Sequence, residues 1–118
     1  MSDVAPDLSI VVLSWNTEDL LVACLEAVEA SMASDPDLAV EVIVVDNASP
    51  QQDAEAIAKI RELLQQFDGG ELVLHDENSG YSKGMNICYE RARGQWIVVS
   101  NPDVEFTPGW IDKLLRHI

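Results

Sequence analysis

Residues 95–103, Gln95-Trp96-Ile97-Val98-Val99-Ser100-Asn101-Pro102-Asp103, combine an apolar run with a polar, proline-containing end. The run from Trp96 to Ser100 is continuously β-favouring and apolar, which is typical of a strand buried on both faces of a parallel sheet. Proline cannot donate a backbone hydrogen bond, so Asn101-Pro102 ends the strand. We therefore expect Asp103 in a turn just past the carboxyl end of a strand, at the edge where open α/β sheets bind ligands. On this stretch alone, Asp103 is either a turn former or a ligand for a hard cation.

Three further apolar, β-favouring runs come earlier in the chain, at residues 8–14, 40–45 and 71–75. Between and after the strands, apolar residues recur at helical spacing, which predicts helices that pack one face on a sheet. These helices are expected at residues 18–33, 50–67, 87–93 and 110–118. Strict alternation of strands and helices predicts an α/β fold, a Rossmann-like parallel sheet with helices on both faces. We expect the strand order 3-2-1-4, which would place the switch point between the first and fourth strands.

Capping residues mark several of the expected helix ends. Ser49-Pro50 followed by Gln52 has the pattern of a helix start, with a serine cap and proline at the first position. Glycines are common just past helix ends, so we expect Gly69-Gly70 to end the second helix and Gly94 to end the third. The segment before the third helix, residues 76–86, is expected to be a loop.

Composition limits the possible partners. The chain has 118 residues, 47% of them hydrophobic, which is enough for one domain with its own core. Its formal charge of −14 argues against nucleic-acid binding through a basic surface. A bound phosphate would instead need backbone amides, a metal ion or one of the few cations. Cys24 and Cys88 lie far apart in helical patterns, so we predict two buried thiols rather than a disulfide or a metal site.

Residues 1–7 are short, polar and acidic, and we expect a flexible tail before a domain at 8–118. The segment lacks the basic start and apolar core of a signal peptide, and the sequence contains no apolar run long enough to span a membrane. We therefore expect a cytoplasmic protein that reaches the inner membrane face, if at all, through other regions or partners.

Every expected strand ends in polar or special residues. These ends are Ser14-Trp15-Asn16, Asp46-Asn47, Asp76-Glu77-Asn78 and Asn101-Pro102-Asp103. In a parallel sheet they share one edge, where a site of acids and amides suits a nucleoside diphosphate if a divalent metal bridges carboxylate and phosphates. The sequence has no P-loop and no G-x-G-x-x-G, which disfavours a dinucleotide-binding dehydrogenase. Neither histidine has the context of a Ser-His-Asp or Cys-His arrangement.

Four motifs, in this order, resemble the pattern of glycosyltransferase family 2, and the resemblance covers nearly the whole chain after residue 7. They are Ile10-Val11-Val12-Leu13-Ser14-Trp15-Asn16, Val44-Val45-Asp46-Asn47-Ala48-Ser49, Asn78-Ser79-Gly80-Tyr81-Ser82-Lys83-Gly84-Met85-Asn86, and Asn101-Pro102-Asp103 with Pro108-Gly109-Trp110. The Asn-Pro-Asp form is most similar to the rhamnosyltransferase-like branch. The resemblance implies a GT-A fold, a UDP-, dTDP- or GDP-linked sugar donor, and a glycan or lipid-linked acceptor.

The resemblance also implies roles for the early motifs. Ser14, Trp15 and Asn16 would line the base and ribose of the donor. Asp46 would accept a hydrogen bond from the base; its alternative is a structural role, forming the turn into the next helix together with Asn47.

The later motifs would hold the rest of the donor. Asn78, Gly80 and Lys83 match the family's loop and helix start near the donor, with Lys83 beside the diphosphate or, alternatively, only solvated. Asp103 would hold Mg²⁺ or Mn²⁺ on the diphosphate. Asn101 replaces the first aspartate of the family's Asp-X-Asp, so it can bond the ribose but adds no charge.

In this family the acceptor site and the general base follow the Asp-X-Asp motif, and this chain ends about fifteen residues past Asp103. We therefore identify no catalytic residue and expect the general base beyond Ile118. The resemblance implies the truncated, donor-binding half of an inverting glycosyltransferase, inactive as an isolated chain. The alternative is a non-catalytic interaction domain that self-associates as a homodimer through an uncovered sheet edge.

Overall fold

The computed structural model describes residues 5–15, 18–32, 37–46, 54–74, 80–101 and 110–116. Strands and helices alternate strictly within them, and the four strands form one parallel sheet in the order β3-β2-β1-β4. This confirms the predicted fold class and strand order. The elements are β1 (Leu8–Ser14), α1 (Glu18–Met32), β2 (Val40–Asp46), α2 (Ala54–Leu64), β3 (Gly69–Leu74), α3 (Gly80–Arg91), β4 (Trp96–Ser100) and α4 (Trp110–Leu115).

Helices cover both faces of the sheet, as predicted. On one face, alternate residues of β1 and β2 such as Ile10 and Val42 join the buried side chains of α1, α2 and α4 in the main core. On the other face, Val11 and Ile43 pack against Met85 of α3. Right-handed crossovers explain this division, because the chain moves in one direction from β1 to β3 and must return across the sheet to reach β4.

β4 is less buried than its sequence predicts. We expected a strand covered on both faces, but Trp96, Ile97 and Val99 remain 45%, 41% and 42% exposed. β4 is an edge strand, and α3 lies over β1 and β2. The fully buried strands are β1 and β2, at the centre of the sheet. The expectation was wrong because an apolar run does not specify whether a strand is central or at an edge.

The predicted end of α2 and the start of β3 are also corrected. Gly69 and Gly70 do not end the helix, since they are the first residues of β3. α2 ends at Leu64 in a tight turn, in which the N–H groups of residues 65–67 each bond the carbonyl three residues earlier. The side chain of Phe67 is buried in the main core, which returns the chain to the sheet. β3 ends at Leu74, and His75 lies outside the described residues.

α3 begins at Gly80, seven residues before the expected start, and Gly94 does not end it. Gly80 has a φ of +83°, a conformation that glycine adopts readily. Gly84 lies inside α3 and packs closely on β1. A Cβ atom at this position would lie 2.6 Å from the Leu13 Cδ1 atom, so the glycine serves the contact between helix and sheet and does not end the helix. The described part of the family motif at residues 78–86 therefore forms the first turns of α3, in agreement with the helix start that the resemblance implies.

Backbone hydrogen bonds to the neighbouring segments begin in the two residues before β1. The Asp7 N–H bonds the Ala39 carbonyl at 2.9 Å, and the Ala39 N–H bonds Oδ2 of Asp7 at the same distance. Pro6 is buried, and its carbonyl accepts the Gln95 N–H at 3.0 Å. The last residues of the expected tail therefore contact both neighbours of β1.

Both cysteines are buried and not joined in a disulfide. Burial raises the pKa of the Cys88 thiol from 9.0 to about 11. Between the two pKa values the thiol is already ionised in the unfolded chain but still protonated in the folded chain. Raising the pH through this range therefore favours the unfolded chain. We therefore expect the free energy of unfolding to fall as the pH rises from about 9 to about 11.

Urea denaturation between pH 7 and pH 11 measures this slope. Cys88→Ala is the control, because it removes the thiol and should flatten the alkaline part of the curve. An unchanged slope in this variant would assign the alkaline sensitivity to other groups.

Candidate functional site

Ser14 and Asp46 lie side by side at the centre of the carboxyl edge of the sheet. They end β1 and β2 and are direct partners in the parallel register. Both are buried, at 1% and 5% exposed. A small pocket opens beside them, with a wall of apolar side chains from α1, α2 and β3. Ser14 and Asp46 are the polar residues of this pocket lining. The apolar lining residues are Leu21, Ile57, Ile60, Leu72 and Leu74.

Trp15 and Asn101 follow the two neighbouring strands at this edge. In the parallel register Val12 is opposite Ser100, so β4 ends two residues short of the end of β1. Asn101 is exposed, and Trp15 is 48% exposed. The order β2-β1-β4 therefore brings Asp46, Ser14 and the Asn101 backbone to one edge, as the sequence predicts.

The amino end of α3 lies over the same edge, on the opposite face of the sheet from the small pocket. Gly84 packs on Leu13 near the end of β1, whereas Arg91 at the other end of α3 bonds Glu71 of β3. Gly80 and Lys83, both exposed, belong to the first turn. A helix amino end has unpaired N–H groups and a positive partial charge, which suit an anion.

Three predicted site residues, Asn16, Asn78 and Asp103, lie outside the described residues. Within the described segments, no group of three or more His, Cys, Asp or Glu side chains is placed to hold a metal ion. The metal site at Asp103 thus stays a prediction. In the same segments, no helix has both the length and the hydrophobicity needed to cross a membrane.

Sequence analysis missed a polar cluster at the opposite edge of the sheet. Glu41, near the start of β2, is buried and accepts hydrogen bonds from Ser9 and Arg93. An open cleft of about 410 Å³ adjoins it, lined in part by Arg91 and Arg93. Both arginines are already paired, with Glu71 and Glu41, so we do not assign the donor to this cleft. The sequence feature that could have indicated this cluster is Glu41 itself, a single charged residue within the apolar run Val40–Val45.

Comparison with known proteins identifies the family. The sequence model described as Glycosyl transferase family 2 matches residues 9–118. The chain belongs to glycosyltransferase family 2. The family 2 chain is 32% identical over 116 residues to the "Succinoglycan biosynthesis protein ExoO" of Rhizobium meliloti, covering 98% of this chain and 30% of that protein. This confirms the family, whereas the rhamnosyltransferase-like branch stays a prediction.

Solved structures of glycosyltransferases share the fold of this family 2 chain. S. aureus TarS, residues 1–349 in complex with UDP, has a TM-score of 0.74 at 22% identity, over 92% of this chain and 31% of that one. The mannosyltransferase PcManGT from Pyrobaculum calidifontis, solved with GDP-Man and Mn²⁺, has a TM-score of 0.68 at 21% identity, over 87% and 29%. The parallel sheet is therefore that of a GT-A fold. The family 2 chain spans about a third or less of the length of each of these relatives.

Proposed function

We propose that this chain is the donor-binding half of an inverting glycosyltransferase, which transfers a sugar from a nucleoside diphosphate to an acceptor hydroxyl. The observation that supports this most is the buried Ser14–Asp46 pair at the central carboxyl edge of a GT-A sheet. The mannosyltransferase with this fold was solved with GDP-Man and Mn²⁺, and TarS with UDP. A nucleotide-sugar donor is thus the ligand class that fits the edge best.

The base and ribose would bind at the ends of β1 and β2. Asp46 is the last residue of β2 and lies beside an apolar wall, where its carboxylate would accept a hydrogen bond from a base N–H. The Trp15 ring is half exposed directly after Ser14 and can cover a planar base. Asn16 completes this part of the proposed site.

The diphosphate would bind between the amino end of α3 and the end of β4. Lys83 and the first N–H groups of α3 provide positive charge in a chain with few cations. Asn78 and Gly80 would shape the entry to this helix. Asn101 and Asp103 offer amide and carboxylate oxygens, the hard donors that Mg²⁺ and Mn²⁺ prefer. When bound, this metal would stabilise charge on the leaving diphosphate.

The acceptor half of the enzyme would lie in the remaining length of the relatives. The general base must reach the acceptor hydroxyl within hydrogen-bond distance, and we place it beyond Ile118. The isolated chain should therefore bind the donor without transferring sugar. The acceptor would be a glycan or lipid-linked hydroxyl, and the enzyme would act in the cytoplasm or at the inner membrane face.

Calorimetric titration of the chain with UDP, dTDP and GDP, each with and without Mn²⁺, tests the donor site. We expect one nucleotide to bind in a metal-dependent way, and Asp103→Ala to weaken that binding by about tenfold or more, since a charged metal ligand is lost. Glu62→Ala is the matched control, because it removes one acid from the exposed surface of α2 and should leave the affinity unchanged.

Two results would contradict the proposal. Sugar transfer by the isolated chain would show that the catalytic base lies within it. No binding to any nucleotide, together with a dimer in light scattering, would favour a self-associating interaction domain instead. Among the described strands β4 has a neighbour on one side only, and its Ile97 and Val99 are exposed on one face, which is the observation that supports this alternative.

A further inference from the structure

The chain enters β4 through a connection in which four consecutive backbone N–H groups are bonded to other parts of the sheet. The N–H of Arg93 bonds Oε1 of Glu41 at 2.7 Å, and the N–H of Gly94 bonds the Ser9 hydroxyl at 2.7 Å. The next two N–H groups bond the carbonyls of Pro6 and Asp7, at 3.0 and 3.3 Å. This connection is therefore fixed residue by residue against β1 and β2.

Glu41 is the centre of this arrangement. Its carboxylate accepts the Ser9 hydroxyl at 2.7 Å and the Arg93 Nε–H at 3.1 Å, besides the Arg93 backbone N–H. Its side chain is only 6% exposed, and a charge this well buried is stable only when it is paired and hydrogen-bonded. We call Ser9, Glu41, Arg93 and Gly94 the Glu41 clasp. It joins β1 and β2 to the start of β4.

β4 needs such a clasp because its own side chains specify its register weakly. A strand with one apolar and one polar face is held in register by burial of the apolar face. Both faces of β4 are apolar, and three of its five residues are exposed. Val98 is the β4 side chain that packs against the main core, and on the other face Ile97 and Val99 stay exposed. Hydrogen bonds at the start of the strand therefore have to set the register.

The register of β4 decides where Asn101 lies. Each residue of slip along β1 would move Asn101 by about 3.3 Å, which is about the length of a hydrogen bond. A slip of one residue would also turn Val98 away from the core. Ser100 is opposite Val12, so in the observed register Asn101 follows β4 one residue short of the level of Ser14, and the proposed donor site depends on this placement.

We propose that Glu41 is a positioning residue that fixes β4 against β1 and thereby sets the place of Asn101 at the carboxyl edge. For its effect on ligand binding, this rests on the proposed function. The carboxylate acts from the opposite edge of the sheet and touches no ligand. Its contact with the Arg93 backbone carries the positioning, while the Arg93 guanidinium neutralises the buried charge.

Amide hydrogen exchange of the ligand-free chain tests the positioning directly. The quantity measured is the ratio of the exchange rate of the β4 amides to that of the β2 amides. We expect Glu41→Ala to raise this ratio by about tenfold or more over the wild type, because β4 loses its hydrogen bond to Glu41 while β2 stays in the core. Arg93→Ala keeps the backbone N–H that donates to Glu41, so it should raise the ratio less. Glu71→Ala breaks the exposed pair with Arg91 in the same cleft and should leave the ratio unchanged.

Two measurements separate positioning from simple destabilisation. Leu63→Ala removes buried core volume, so it should speed exchange in β2 and β4 together and leave their ratio unchanged. If Glu41→Ala does not fold, Glu41→Met decides the question, because it keeps the length of the side chain but has no oxygen to accept the Arg93 N–H, and should raise the ratio in the same way. An unchanged ratio in Glu41→Met, together with an unchanged ratio or no folding in Glu41→Ala, would overturn the proposal.

Nucleotide titration then connects the clasp to the site. We expect Glu41→Ala to weaken metal-dependent binding by about tenfold, and Leu63→Ala to leave it unchanged while the chain is folded. Binding that stays at the wild-type level in Glu41→Ala would overturn the link to the donor site. No nucleotide binding by the wild type would overturn the proposed function, and the exchange ratio would still decide whether Glu41 positions β4.

Discussion

Gly94→Ala is expected to lower the free energy of unfolding by about 3 to 5 kcal/mol, a large part of the stability of a domain of this size. An added Cβ would lie 2.5 Å from both the backbone nitrogen and the hydroxyl oxygen of Ser9, and 2.8 Å from the carbonyl carbon of Leu8. These are backbone atoms of β1 and the hydroxyl that Gly94 itself bonds, so relief requires β4 to move away from the sheet.

Urea denaturation followed by tryptophan fluorescence measures this loss. Thermal unfolding should show a fall in melting temperature of about 10 °C or more. Gly84→Ala is the matched control. There the Cβ meets the end of the Leu13 side chain at 2.6 Å, which can rotate, and alanine favours the helix over glycine by about 1 kcal/mol. Equal losses in the two variants would mean that the contact with β1 does not control stability.

Gly70→Ala should cost a similar amount, about 3 kcal/mol or more, for a different reason. An added Cβ would lie 2.2 Å from the backbone carbonyl oxygen of Leu64 and 2.8 Å from its carbon. Leu64 is the last residue of α2, and its side chain is buried in the main core. The helix end therefore cannot withdraw without losing apolar contacts.

Gly69→Ala is the control for this prediction, one residue away in the same strand. Its nearest contacts would be the Arg93 guanidinium at 3.3 Å and the Glu41 side chain at 3.4 Å, which need a shift of a few tenths of an ångström at most. We expect a change of less than about 1 kcal/mol, measured by the same denaturation. Of these two glycines, Gly70 is the one whose added Cβ would meet backbone atoms. An equally large loss of stability in Gly69→Ala would therefore contradict this explanation.

The fold and much of the edge could be predicted from the sequence. Strict alternation of β-favouring and helical patterns predicts a parallel sheet with right-handed crossovers, and the expected order β3-β2-β1-β4 is the one observed. The same order explains why Ser14, Asp46 and Asn101, far apart in the chain, meet at one edge. The family motifs coincide with these strand ends, and the family is confirmed.

Glycine was the main source of error in the predicted boundaries. A glycine pair after an apolar helix is typical of a helix end, but Gly69-Gly70 opens β3 because Gly70 must pass close to the Leu64 carbonyl. Gly94 is needed for its close approach to β1, not for a left-handed helix cap. The sequence shows a glycine at these positions, but the contacts that require it, with Leu64 for Gly70 and with Ser9 for Gly94, appear only in the folded chain.

Local periodicity was enough to identify the strands and helices and the residues at the carboxyl ends of the strands. Which apolar strands are central depends on the packing of the whole chain. β1, β2 and β4 have similar apolar runs, yet α3 covers β1 and β2 and leaves Ile97 and Val99 exposed. Only the tertiary structure, too, showed that Glu41 is held by Ser9 and Arg93, because a buried charge is paired by groups that the fold, and not the local sequence, brings within hydrogen-bond distance.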